Sequence, residues 1–356
     1  MKNMKAAAAK IMALLVFLLA FTSCGPRREG DKAAVREPGN STVAPENVPE
    51  NEDPEAGRFQ VSVEKIDQYE GMEITDWLDE QTVVLAKENR DLGKMSLEEN
   101  AESYPRSLYL YRLDTKEYKT VEARKNMFFG GAVLSPDKKH LMYYEYSIGD
   151  TAYYLISMDP EKQSAAAEGS LGIAYTAEWA DAQNVIGVSY AGGAYMADTD
   201  GKITPIAGLK EEQLFTVQKV QDKIFYSTAE IADSPSSRLY MLNPATGEKR
   251  DLKVENADGI IPSPDGKQIL ISQGSESGKR LLLADAEGKI LKTVAEGTDL
   301  TGVSWSPDGW MIAYWLESAD NGTTGSGLYL YDVLTGTSMQ IAVNIGDAKI
   351  SWSPSG

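Results

Sequence analysis

One short pattern returns along most of this chain. Its clearest copy is Val303-Ser304-Trp305-Ser306-Pro307-Asp308-Gly309-Trp310-Met311-Ile312-Ala313-Tyr314, followed by Leu328-Tyr329-Leu330-Tyr331-Asp332. Apolar and aromatic residues alternate on both sides of Pro-Asp-Gly, where proline fixes φ and glycine lets the chain reverse. The phase held by Trp305 is held elsewhere by Trp77, Leu134, Trp179, Val217, Pro262 and Trp352. Seven residues later an apolar residue opens the next strand at Val84, Leu141, Ile186, Ile224, Ile269 and Ile312. A second half-repeat runs through Tyr109, Tyr154, Tyr195, Tyr240 and Leu283. Four short strands in each unit of about 40–50 residues imply an all-β ring of packed sheets, a β-propeller.

Six units are complete. A seventh begins at Trp352 and stops at Ser353-Pro354-Ser355-Gly356, so six or seven blades are expected, with the last one incomplete. The third and fourth units lack the Ser-Pro-Asp turn and keep only the strand periodicity. Arg58-Phe59-Gln60-Val61-Ser62-Val63-Glu64 alternates as a strand before the first unit and is expected to pair with the last blade, which removes an open edge. The longest excursion, Glu88 to Arg106, leaves room for a helical turn around Met95–Glu102 on one rim, where such folds carry recognition.

Residues 1–23 read as an export signal. Lys2, Lys5 and Lys10 precede an apolar run from Ile11 to Phe21 that is short for a membrane span, and Thr22-Ser23-Cys24 follows. Cys24 is the only cysteine, so the chain can form no internal disulfide, and it stands where a lipid would be attached. Residues 24–57 hold no aromatic residue and are punctuated by Pro26, Pro38, Pro45, Pro49 and Pro54, as expected of a tether. As a flexible coil it would span about 30 Å. Its Arg27, Arg28, Lys32 and Arg36 lie near the anchor, and Glu46, Glu50, Glu52, Asp53 and Glu55 lie near the domain. Residues 58–356 make the propeller. The expected address is the extracytoplasmic face of the cell membrane, reached through a lipid anchor, and the expected state is a monomer.

The net charge of −18 becomes −21 once the three signal lysines are removed. That surface repels phosphate backbones and argues against a nucleic-acid partner. The chain has a single histidine, His140, read as a water-exposed turn residue, and no Gly-x-Ser-x-Gly or phosphate-binding loop, so nothing in it points to a triad or to nucleotide chemistry. No cofactor is expected. Asp198-Thr199-Asp200-Gly201 carries the first two oxygens of a calcium loop without the downstream glutamate, which leaves Asp198 and Asp200 as weak calcium candidates. Asp137, Asp265 and Asp308 recur once per unit and read as residues that cap their own turns. With Trp77, Trp179, Trp305 and Trp352 they mark the repeat rather than a site.

The Leu/Pro/Trp-Ser-Pro-Asp-Gly/Lys turns at 134–138, 262–266 and 305–309 resemble the WD-like repeats of TolB-type propellers. Joined to a lipoprotein signal, they resemble the YqgU-type propeller lipoproteins of Gram-positive bacteria. The resemblance covers about residues 70–356 and implies six blades more often than seven. It implies no single activity, because the fold serves binding proteins, peptidase side domains and lyases. The leading expectation is a binding or scaffold module for a protein, a peptide or a cell-envelope polymer. The alternative is an envelope carbohydrate-active lyase or hydrolase with carboxylates at the channel.

Overall fold

The computed structural model describes residues 65–354, except 97–99, 150, 160–168, 211, 229–236, 321–322, 344–345 and 347–348. The expected signal, Cys24, the expected tether and the expected strand at Arg58–Glu64 therefore lie outside the described residues. Those described include 23 strands and a short 3-10 turn at Arg90–Leu92. No helix among them is long and apolar enough to cross a membrane.

The strands fall into six antiparallel units of four. Three are separate sheets, opening with Leu214–Val220, Ala257–Pro262 and Asp299–Trp305. The other three share one sheet. A single parallel bridge, Arg106 to Phe128, joins the first unit to the second, and the long strand Gly169–Trp179 closes the second unit and opens the third. The all-β expectation holds. Alternation sends opposite faces of each sheet to opposite neighbours, so apolar clusters fill the gaps in turn around the ring. Val84 and Leu108 meet Phe129 and Leu141 between units one and two, and Phe225 and Leu239 meet Ile269 and Leu282 between units four and five. Leu283 meets Trp305 and Tyr314 between units five and six.

Tryptophans fasten neighbouring inner strands. Trp179 Nε1 donates to the Val133 carbonyl at 3.0 Å, Trp305 Nε1 to Ile261 at 3.1 Å, and Trp352 Nε1 to Ser304 at 3.4 Å. In each case the acceptor stands one residue before the phase position of the preceding unit. Trp352 and Ile350 also pack on Met311 and Leu330 of the sixth unit, so the segment after the sixth sheet occupies the place of a further inner strand.

One local expectation needs correction here. In the fourth unit Val217 lies mid-strand opposite Tyr226, and the hairpin reverses at Gln221-Asp222 instead of just after Val217. Without Ser-Pro-Asp-Gly nothing ends the strand early, and Gln221 takes the left-handed φ of 54° that a two-residue turn requires. In the excursion a 3-10 turn stands at Arg90–Leu92; of the helical turn expected around Met95–Glu102, residues 97–99 lie outside the described residues, Asn100 is in 3-10 conformation with its carbonyl accepting the Ser103 N–H, and Met95 is buried.

Candidate functional site

Antiparallel alternation puts the first and third turns of every unit on one rim and the second turns on the other. The first rim is where the repeat aspartates sit. Asp137 accepts from Ser135 Oγ at 2.7 Å and from the Lys139 N–H, while Ser135 Oγ accepts from the His140 N–H. Asp265 with Ser263, and Asp308 with Ser306, repeat this network. The Ser135 bond is the main cause holding the Asp137 carboxyl below the usual carboxylate range, and the Lys267 N–H, then Ser263, do the same for Asp265. These carboxylates are engaged locally and do not converge. Asp198 likewise accepts from the N–H groups of Asp200 and Lys202 in its own hairpin. Among the described residues no three His, Cys, Asp or Glu side chains gather as a metal site would require. His140 is not the water-exposed turn residue expected. It opens the strand His140–Tyr146, is half-buried, and its Nδ1 has no partner.

The opposite rim is built differently. There the excursion is fastened to the second unit: the Ser96 N–H donates to Asn126 Oδ1 at 2.8 Å, Asn126 Nδ2 donates to Ser96 Oγ, and Asn100 Nδ2 donates to the Ser147 carbonyl at 3.0 Å. Beside that last bond stand exposed Tyr146, stacked on Phe128 at 5.2 Å, and exposed Ile148, with exposed Tyr190 on the corresponding turn of the third unit. Of the tyrosines in the second unit, Tyr143 is buried and stacks on Tyr154, whereas Tyr144, Tyr146 and Tyr153 form a second group. Burial pushes the Tyr153 phenol up to about 12, with Glu178 adding to the effect.

Toward the axis, the inner strands present a small charged group. Glu73 pairs with Arg106 at 2.8 Å and meets Lys349 at 3.7 Å. Asp76 accepts the Leu134 N–H at 2.8 Å and the Trp77 N–H at 2.7 Å. Its carboxyl is still raised by burial, against the pull of those bonds and of Lys138 and Lys349. Water reaches Glu178, yet protein surrounds it closely, and this loss of bulk solvent raises its carboxyl to about 7 against the opposing charge of Lys349. Glu178 and Asp76 each stand one residue before the phase tryptophan of their unit, so the repeat puts them at equivalent places, although a search for paired carboxylates by spacing along the chain does not bring them together. A cavity of about 960 Å³ opens beside the first unit, lined by Met72, Glu73, Lys87, Arg106, Tyr109 and Tyr118.

No family model and no curated protein matches this sequence. Solved structures do resemble it. An oligogalacturonate lyase from Vibrio parahaemolyticus superposes with a TM-score of 0.55 at 12% identity, over 77% of this chain and 78% of the lyase. An oligogalacturonate lyase in complex with manganese gives 0.52 at 15% identity, over 78% of each chain.

The fold is a β-propeller.

TolB from Acinetobacter baumannii is similar at a TM-score of 0.45 and 16% identity over 78% of this chain, which spans 56% of that protein. At these identities the propeller shares an architecture with its neighbours, and its own residues must carry any functional argument.

Proposed function

We propose that this propeller is a binding module held at the extracytoplasmic face of a membrane through a lipid on Cys24, and that it takes up a protein, peptide or envelope polymer on the rim carrying the excursion. One observation carries this reading: an irregular insertion is fastened in place beside exposed Tyr146 and Ile148, on the rim that also carries exposed Tyr190, whereas the Ser-Pro-Asp turns of the opposite rim use their polar side chains up locally. Preorganised aromatic and aliphatic side chains on a fixed backbone lose little entropy on binding. The test is retention of envelope fractions by the immobilised full chain. Tyr146→Ala/Ile148→Ala/Tyr190→Ala should lower retention at least about tenfold, a loss of ~1.4 kcal/mol. Equal retention by the variant would refute the rim assignment.

Glu178 favours a second reading, a carbohydrate-active enzyme working from the channel, because a carboxyl titrating near neutrality suits a general acid. A panel of uronate-containing and cell-wall glycans separates the two. Turnover lost in Glu178→Gln would support the enzyme, and no turnover by the parent chain would retire it. The same variant has a stability signature. The folded carboxyl binds its proton more tightly than the unfolded one, so the parent is relatively more stable at low pH and loses that advantage as pH rises from about 4.3 toward 7. Glu178→Gln should lose this fall, seen as a flatter melting temperature between pH 5 and pH 8.

A further inference from the structure

The cavity of about 960 Å³ opens at the root of the excursion: Glu88 and Asn89, where the excursion leaves the sheet, and Arg106, where it returns, are among its lining residues. A volume of that order suits a small ligand or a few residues of a polymer. One wall is aromatic and held in place. The Tyr118 ring packs on Tyr111 at 4.5 Å and meets Tyr109 edge-on at 5.6 Å, and its hydroxyl donates to Met72 Sδ at 3.7 Å. Over this wall stands the half-buried Lys87, its ammonium 3.9 Å from the centroid of Tyr118 and 5.8 Å from that of Tyr109.

The charges around the cavity are not all answered. Arg106 pairs with Glu73 at 2.8 Å and donates to the Ala86 carbonyl at 3.2 Å, and Arg90 meets Glu88 at 3.4 Å. Lys87 has no carboxylate partner among the described residues. Asp91, exposed on the 3-10 turn, has no cation among them either. The ring face attracts the ammonium on one side and leaves its other side to the cavity. In a partly enclosed space, where water screens less, that charge is a seat for an anion. Its neighbours say what kind. Glu73, Glu88 and Asp91 line the same cavity, and the whole chain carries −18, so a polymer negative along its length is repelled. A polypeptide can set one carboxylate on Lys87, place a cation beside Asp91, and lay the aliphatic stems between them on Tyr109 and Tyr118.

We propose that this cavity receives a polypeptide segment of mixed charge, with an aspartate or glutamate carboxylate on Lys87 above the Tyr118 ring and a lysine or arginine against Asp91. The proposal rests on the reading of this chain as a binding module and names peptide as the ligand class. Tyr109 and Tyr118 supply contact area to whatever lies between the two charges, and Lys87 and Asp91 set its direction along the cavity.

The test titrates the full chain into fluorescein-labelled hexapeptides of alanine and glycine that carry Glu-Lys, Glu-Glu, Lys-Lys or Ala-Ala at the centre, read by fluorescence anisotropy. A trigalacturonate labelled alike is the polyanion. The Glu-Lys peptide should bind at least about fivefold more tightly than any other probe. Lys87→Met keeps the stem, removes the charge and should weaken that peptide about tenfold or more, whereas Lys87→Arg should stay within about threefold of the parent. Asp91→Asn should narrow the preference for Glu-Lys over Glu-Glu. Both Lys87 variants should melt within about 1 °C of the parent, which separates lost binding from lost folding. A panel without preference, or a preference that Lys87→Met leaves unchanged, would overturn the proposal. Tightest binding of the trigalacturonate would assign the cavity to an acidic glycan, and tightest binding of any other peptide would remove the paired roles of Lys87 and Asp91; either overturns it. The rim assignment fails on a different result, envelope retention that survives loss of Tyr146, Ile148 and Tyr190, so the two readings can be lost separately.

Discussion

The two rims of this propeller are made from the same strands and use their residues in opposite ways. On the turn rim Ser135, Ser263 and Ser306 each bind their own aspartate and a backbone N–H five residues on, and three units repeat the network almost atom for atom. On the other rim the described residues share no such side-chain network: a long excursion in the first unit leans on a turn of the second, beside Tyr146 and Ile148. A residue type that recurs in every unit is answering a demand made in every unit, which is the need to reverse a chain without orphaning its polar groups. A residue that occurs once answers something particular. In this ring, regularity reports architecture, and departures from it are where binding should be sought.

That contrast can be broken by substitution. The largest loss should come at the turn-rim end of an inner strand: Trp305→Ala empties a buried site between the fifth and sixth units and removes the bond to Ile261, and should cost about 3–5 kcal/mol in denaturant unfolding. Ser306→Ala should cost about 1–3 kcal/mol, because it strips the acceptor from the buried Met311 N–H and the donor from Asp308. The turn carboxylates come next. Asp137 and Asp265 are held below their ordinary range in the folded chain, so their contribution is present above pH of about 4 and is lost as pH falls through their lower folded values. Asp137→Asn/Asp265→Asn should therefore show a smaller fall in melting temperature between pH 6 and pH 3 than the parent chain. The smallest effect belongs to the other rim, where Ile148→Ala and Tyr190→Ala should each change stability by about 0.5 kcal/mol or less while lowering retention of the ligand. A large destabilisation by either would mean that this rim, too, is committed to the fold.

Much of the ring was legible before any coordinates. Trp305, Trp179 and Trp352 stand in phase in the sequence, and the structure gives each the same bond to a preceding strand. The fourth unit was misread at its turn because Val217 satisfies the spacing as well as any apolar residue, and without Pro-Asp-Gly no residue type fixes where a hairpin reverses. His140 looked like a turn residue because it follows two lysines. Pairing with Ser157 makes it the first residue of a strand, which no local signal announces.

What the sequence determined by itself was the repeating unit: a period of two within strands and a polar turn at fixed phase can be satisfied only by small antiparallel sheets, whose two apolar faces must be covered by neighbours. What only the tertiary structure decided was the company these residues keep. Asp76 and Glu178 each precede a phase tryptophan and so hold like places in the period, but that the charge of Lys349, far along the chain, reaches both is told only by the fold. The raised carboxyl of Glu178 exists only once folding has crowded protein around it, since a pKa shift is a property of surroundings, not of a residue.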